Sequence, residues 1–136
     1  MASVMEKQKL LKKIKAILEA QNCSTAVIFG SFAGQGSPFR DIDIMVAMED
    51  GRAPTEADKV YLAQILSNET GYKFDVVGPD IPNILLRAEI ARKGLPIIVE
   101  DPDFWESFKL TAIIDEEDFR PLIEEFYEER FGIKQR

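Results

Sequence analysis

Residues 29–46 read FGSFAGQGSPFRDIDIMV. A glycine–serine step, Gly30 and Ser31, closes one apolar run; a loop of small residues follows; and two aspartates one residue apart, Asp41 and Asp43, open the next run. Upstream, TAVIFG at 25–30 is β-branched and aromatic and ends on glycine, the pattern of a short buried strand. Downstream, DIDIMVAM at 41–48 predicts a second strand. Its Ile42, Ile44, Val46 and Met48 share one face, and Asp41, Asp43, Met45 and Ala47 the other. Carboxylates two residues apart on a strand stand about 6–7 Å from each other, since each residue rises about 3.3 Å. At an effective dielectric near 20 they repel by roughly 3 kcal/mol, a sizeable part of the net stability of a small domain. Solvation, or pairing with Arg40 or Lys73, would reduce that cost; a bound cation would put it to use.

Composition narrows the chemistry. The chain of 136 residues contains no histidine and one cysteine, Cys23. The commonest metal ligand and general base is therefore missing, and neither an internal disulfide nor a cysteine zinc cluster can form. Catalysis has to run on carboxylates, hydroxyls, lysine, arginine or a hard cation. The length suits one domain over residues 1–136, with a core at about 22–100 and C-terminal helices over 102–131. No apolar stretch is long enough to cross a bilayer, and the N-terminal segment is charged and helix-periodic, unlike a signal peptide, so a cytoplasmic location is expected. A net charge of −7 argues against general nucleic-acid binding. The charge is uneven: residues 1–20 hold five lysines against two glutamates, whereas 100–136 hold twelve acids against five bases. Two solvated faces, or a polar contact surface for a partner, both fit.

Around the central stretch, Leu10, Leu11, Ile14, Ile17 and Leu18 recur at helical spacing and predict a packed first helix. Thr55 with Asp58 three residues on resembles a capping box, opening a helix expected to turn Ala57, Val60, Tyr61, Ile65 and Leu66 inward and to stop at Gly71. YKFDVVG at 72–78 predicts a third strand with Tyr72, Phe74 and Val76 on one face and Lys73, Asp75 and Val77 on the other. Pro82 and Gly94 bracket a further helix, PIIVE at 96–100 is a last strand, and helices are expected over 102–114 and 117–131. Phe119, Leu122, Ile123, Phe126, Tyr127 and Phe131 form a stripe read as core packing, with a partner groove as the alternative; Trp105 with Phe104 and Phe108 could stack a base but is also read as core. The fold class is α/β in the broad α+β sense: a small mixed sheet with helices on one face.

If the second and third strands are neighbours, Asp41, Asp43 and Asp75 converge on one patch. Three acids without histidine suit Mg²⁺ or Mn²⁺, which favour oxygen ligands and keep open positions for water and phosphate. Gly30 and Ser31, at a strand end where N–H groups and a hydroxyl are free, can hold an anion such as phosphate. The loop lacks the lysine of a phosphate-binding P-loop, and its glycine spacing is not that of a dinucleotide fingerprint. Phosphatases and glycosyltransferases with Asp-x-Asp place it after the apolar strand, not before it.

On FGSFAGQGSPFRDIDI and KFDVV the sequence resembles the polymerase-beta-like nucleotidyltransferase superfamily, in particular the minimal nucleotidyltransferases found beside HEPN-domain toxins in bacteria and archaea. The resemblance spans about 25–130, more weakly toward the tail. It implies the fold of that superfamily and a metal-dependent transfer of a nucleoside monophosphate, AMP from ATP, to a tyrosine hydroxyl of a HEPN-type partner, as an antitoxin does. By position, Gly30 and Ser31 would hold the triphosphate. Asp41 and Asp43 would bind Mg²⁺, and Asp75 would complete a second ion's site and help deprotonate the attacking hydroxyl. The chain departs from the usual pattern at Gly34, where an arginine is common, and at Arg40, where a serine is common; Arg40 is expected either to restore the charge beside the nucleotide or to pair with Asp41 or Asp43. Two alternatives stay open: a partner-binding module that neutralises by contact alone, and nucleotidyl transfer to a small molecule. Self-association is compatible with each.

Overall fold

The structure, a computed structural model, describes residues 4–33 and 41–132. Gly34 and Arg40 lie outside the described residues. In chain order the elements are α1 (Val4–Ala20), β1 (Cys23–Phe29), a 3₁₀ turn (Gly30–Phe32), β2 (Asp41–Met48), a second 3₁₀ turn (Glu49–Gly51), α2 (Glu56–Thr70), β3 (Lys73–Val77), α3 (Ile84–Lys93), β4 (Leu95–Val99) and α4 (Pro102–Phe131). The four strands make one mixed sheet in the order β3-β2-β1-β4. β1 runs antiparallel to both β2 and β4, and β2 runs parallel to β3.

Local signals set the helix ends. Thr55 Oγ1 accepts from the Asp58 N–H while the Asp58 carboxylate accepts from the Thr55 N–H, so the capping box forms as read. Gly71 closes α2 in the left-handed region at φ 80°. Asn83 caps α3 through the Leu86 N–H, and Asp101 caps α4 through the N–H groups of Asp103 and Phe104.

The helices cover both faces of the sheet, which corrects the expectation of one covered face. On the first, Ile14 and Leu18 of α1 and Leu62 and Leu66 of α2 pack on Ala26, Ile28, Ile42, Ile44, Phe74 and Val76. On the second, Ile90 of α3 with Trp105 and Phe108 of α4 packs on Val27, Phe29 and Met45. The physical reason is in the two central strands. Every position of β1 is buried, and Met45 and Ala47 of β2 are as apolar as the residues facing the other way, so this face also needs a cover. In α2 the helix is turned so that Leu62 and Leu66 point inward, leaving Val60 and Tyr61 exposed.

α4 also differs from expectation. It is one helix of 30 residues that passes through the acidic run 115–118, where Asp115 pairs with Arg87 at 3.1 Å and Glu116 with both Arg92 and Arg120. Its first half carries the buried Trp105, Phe108 and Ala112. The second half is not core: Leu122, Phe126 and Phe131 are 59, 49 and 60 % exposed. At about 1.5 Å per residue the helix is about 45 Å long, and it outruns the short strands that could cover it.

Candidate active site

The parallel register sets Asp43 beside Asp75 and Asp41 beside Lys73. Because Ile42, Ile44, Phe74 and Val76 belong to the first face, the intervening Asp41, Asp43 and Asp75 belong to the second, at the end of the layer that α3 and α4 cover. Neighbouring strands lie about 4.8 Å apart, so Asp43 and Asp75 are side by side on adjacent backbones. The antiparallel register places Phe29 across from Asp43, which puts the next residue, Gly30, against its carboxylate.

That approach is close. Gly30 has φ +74°, and a methyl group there would run into Asp43 Oδ2 and stand 3.2 Å from its Cγ. Glycine is required on both counts: the left-handed backbone and the missing Cβ. The turn that follows is tied down from α1, where Lys7 Nζ donates to the Phe32 carbonyl at 3.1 Å and lies 5.0 Å from the centre of the Phe32 ring. Phe32 itself is buried in the first-face core, leaving Ser31 exposed beside the acids.

Electrostatically the site is a concentration of like charge. The Asp43 carboxyl is pushed above its usual range, first by partial burial and then by the charges of Asp75, Asp41 and Glu89. Among the described residues none of the three aspartates is in an ion pair, so the pairing of Asp41 with its register neighbour Lys73 does not form. Nor, among the described residues, do three acidic, cysteine or histidine side chains already stand grouped as a set of metal ligands; mutual repulsion opposes closer approach, while the strands hold the backbones in register. An all-oxygen donor set whose central acid is held above its usual range, first by partial burial and then by anionic neighbours, fits a hard divalent cation.

A cavity of about 400 Å³ opens beside this cluster. Among the described residues it is lined by Gly30, Ala33, Glu89 and Lys93. The site residues read from sequence therefore fall into three groups. Gly30, Asp41, Asp43 and Asp75 are brought together, Ser31 sits one residue along the turn, and Arg40 lies outside the described residues. Glu89 and Lys93 were not anticipated. They are four residues apart on α3, and their place at the cavity follows from α3 crossing the second face, which the sequence does not announce.

The family model described as "Polymerase beta, Nucleotidyltransferase" matches residues 12–103. The chain belongs to the polymerase beta nucleotidyltransferase family. Members of this family generally use divalent metal ions. The stretch matched in this nucleotidyltransferase runs from α1 into the start of α4 and contains every residue of the cluster and cavity just described. Among solved structures, a toxin–antitoxin complex with AMP-PNP holds a chain of 22 % identity and TM-score 0.69, the match covering 85 % of this chain and 97 % of that one. A chain of the MntA–HepT toxin–antitoxin complex matches at 19 % identity and TM-score 0.67, with 88 % and 97 % covered. A chain of the complex between the tri-AMPylated HEPN toxin of Shewanella oneidensis and an MNT antitoxin matches at 20 % and 0.68, with 88 % and 98 % covered. At these identities the likeness is one of fold. Comparison with curated protein sequences yields no match. No helix among the described residues is long and apolar enough to cross a membrane.

Proposed function

We propose that this nucleotidyltransferase moves AMP from ATP to a hydroxyl of a HEPN-type partner protein and so acts as an antitoxin. The observation that carries the reading is the register pair Asp43 and Asp75, with Asp41 two residues before and Gly30 packed on the Asp43 carboxylate. The likeness to chains of toxin–antitoxin complexes, one with AMP-PNP and one with an AMPylated toxin, supports the choice of donor and acceptor.

In this reading Gly30 and Ser31 bind the triphosphate through backbone N–H groups and the Ser31 hydroxyl. Asp41, Asp43 and Asp75 hold two Mg²⁺ ions, with Mn²⁺ able to replace them. When bound, the ions supply positive charge to the reacting phosphate and to the leaving oxygen. The acceptor hydroxyl oxygen forms a bond to the α-phosphorus, the bond from that phosphorus to the bridging oxygen of the β-phosphate breaks, and pyrophosphate leaves. Asp75 takes the hydroxyl proton on its carboxylate and passes it to water.

The test is incorporation of labelled AMP from ATP into a co-expressed HEPN partner. Asp43→Asn and Asp41→Asn are each expected to lower the rate by about a hundredfold or more, the several kcal/mol of charge stabilisation a divalent ion provides. Undiminished labelling in both variants would overturn the assignment. The exposed stripe of Leu122, Phe126 and Phe131 on α4 favours a second reading, a module that neutralises its partner by contact alone. Under it, Asp43→Asn would still protect cells from the toxin.

A further inference from the structure

The cavity beside Gly30 holds an imbalance of charge. Glu89 lines it, Asp43 stands against its lining residue Gly30 with Asp75 and Asp41 close by on the sheet, and a nucleoside triphosphate would bring further negative charge into the same space. Between Phe29 and Asp41 the sequence holds one cation, Arg40, directly before the first aspartate, and residues 29–39 contain neither lysine nor arginine.

α3 contains three cations, and they are used differently. Arg87 and Arg92 reach across to α4 and pair with Asp115 and Glu116. Lys93, the last residue of the helix, lines the cavity together with Gly30, Ala33 and Glu89. Glu89 lies four residues before Lys93, the spacing and order that favour an ion pair along a helix. No such pair forms, and among the described residues Lys93 has no carboxylate or carbonyl partner. An ammonium on a flexible stem, unpaired and at the wall of an anion-sized cavity, is a point-charge ligand for phosphate.

We propose that Lys93 binds the β- and γ-phosphates of the nucleoside triphosphate, supplying from α3 the positive charge that the loop at 29–39 lacks. The proposal rests on the reading of this cavity as the nucleotide site. Gly30 and Ser31 supply neutral donors at one wall, and Lys93 supplies the charge at another. Selection of a triphosphate over a monophosphate then resides largely in Lys93, because a monophosphate lacks the groups it contacts.

The experiment compares binding of ATP and AMP, each with Mg²⁺ and without an acceptor, to the wild type, Lys93→Gln and Lys93→Arg by calorimetry. Loss of a charge-assisted contact is expected to weaken ATP binding by roughly tenfold or more in Lys93→Gln. AMP binding is expected to change less than about threefold, with Lys93→Arg recovering most of the ATP affinity. An unchanged melting temperature in Lys93→Gln excludes a folding defect. Equal weakening of ATP and AMP would make Lys93 a general modulator of the field and overturn the proposal, as would unaltered ATP binding. If the wild type itself binds no ATP, the nucleotide reading falls and this inference with it. If the wild type binds ATP and Asp43→Asn abolishes transfer while Lys93→Gln binds ATP normally, only the inference falls.

Discussion

Gly30 is the residue on which the site geometry turns. Its φ of +74° and its packing against the Asp43 carboxylate leave no room for a side chain. Gly30→Ala is expected to cost about 1–3 kcal/mol of stability from the backbone alone and to push Asp43 out of line with Asp75. Transfer should fall more than stability does, and parallel thermal melts and AMP-incorporation assays would separate the two. A variant with wild-type turnover would show that the close approach is dispensable. Cys23 carries a different prediction. Burial, helped by the charges of Asp58 and Glu100, lifts its thiol from 9.0 to about 11, and its sulfur lies 4.0 Å from Met48 Sδ. The folded chain therefore keeps the thiol protonated where the unfolded chain has begun to ionise. This contribution is present in full below pH 9 and is lost as pH rises through 11. Alkylation by iodoacetamide at pH 8 should be much slower in the native protein than in guanidinium; equal rates would contradict the buried placement.

At the scale of elements, the strands were the most legible part. DIDIMVAM forms a strand with the predicted limits, Asp41–Met48, because its alternation and the preceding loop both point to the same boundary. The capping box at Thr55 and the stop at Gly71 were readable for the same reason: each is a local signal with a local cause. What could not be read was which face each helix covers. In β2, Met45 and Ala47 follow two aspartates on the same face, so polar and apolar ends of one face had to be separated by tertiary packing that no short window reveals. α4 shows the limit most clearly, since Trp105 and Phe126 lie on one helix with comparable local sequence, yet the first is 6 % and the second 49 % exposed. Trp105→Ala is expected to cost about 3–5 kcal/mol, whereas Phe126→Ser should stay within about 1 kcal/mol, as an exposed substitution does. Denaturant midpoints with unchanged slopes would check both. A large loss at Phe126 would mean that the second half of α4 is covered in solution.

At the scale of the whole molecule, the site was half legible. Gly30, Asp41, Asp43 and Asp75 announced themselves because like charges beside buried strands are costly and ask for a reason; Glu89 and Lys93 sit on an ordinary-looking helix and gain meaning only from where α3 lies. The same cost gives a prediction about stability. Partial burial first, and then the charges of Asp75, Asp41 and Glu89, oppose ionisation of Asp43, so the metal-free protein carries an unfavourable charge at one end of its sheet. Replacing that charge in Asp43→Asn should raise the melting temperature of the metal-free protein at neutral pH while abolishing transfer. Mg²⁺ should act unequally on the two proteins. A cation that binds only the folded wild type stabilises it by about 2.7 kcal/mol at a hundred times its dissociation constant, a rise of several degrees for a domain of this size. In Asp43→Asn the rise should shrink toward zero. Melting curves recorded in EDTA and across a magnesium titration measure all four quantities. If magnesium leaves the wild type unmoved and Asp43→Asn melts lower than wild type in EDTA, then the acidic cluster is neither strained nor built for a cation.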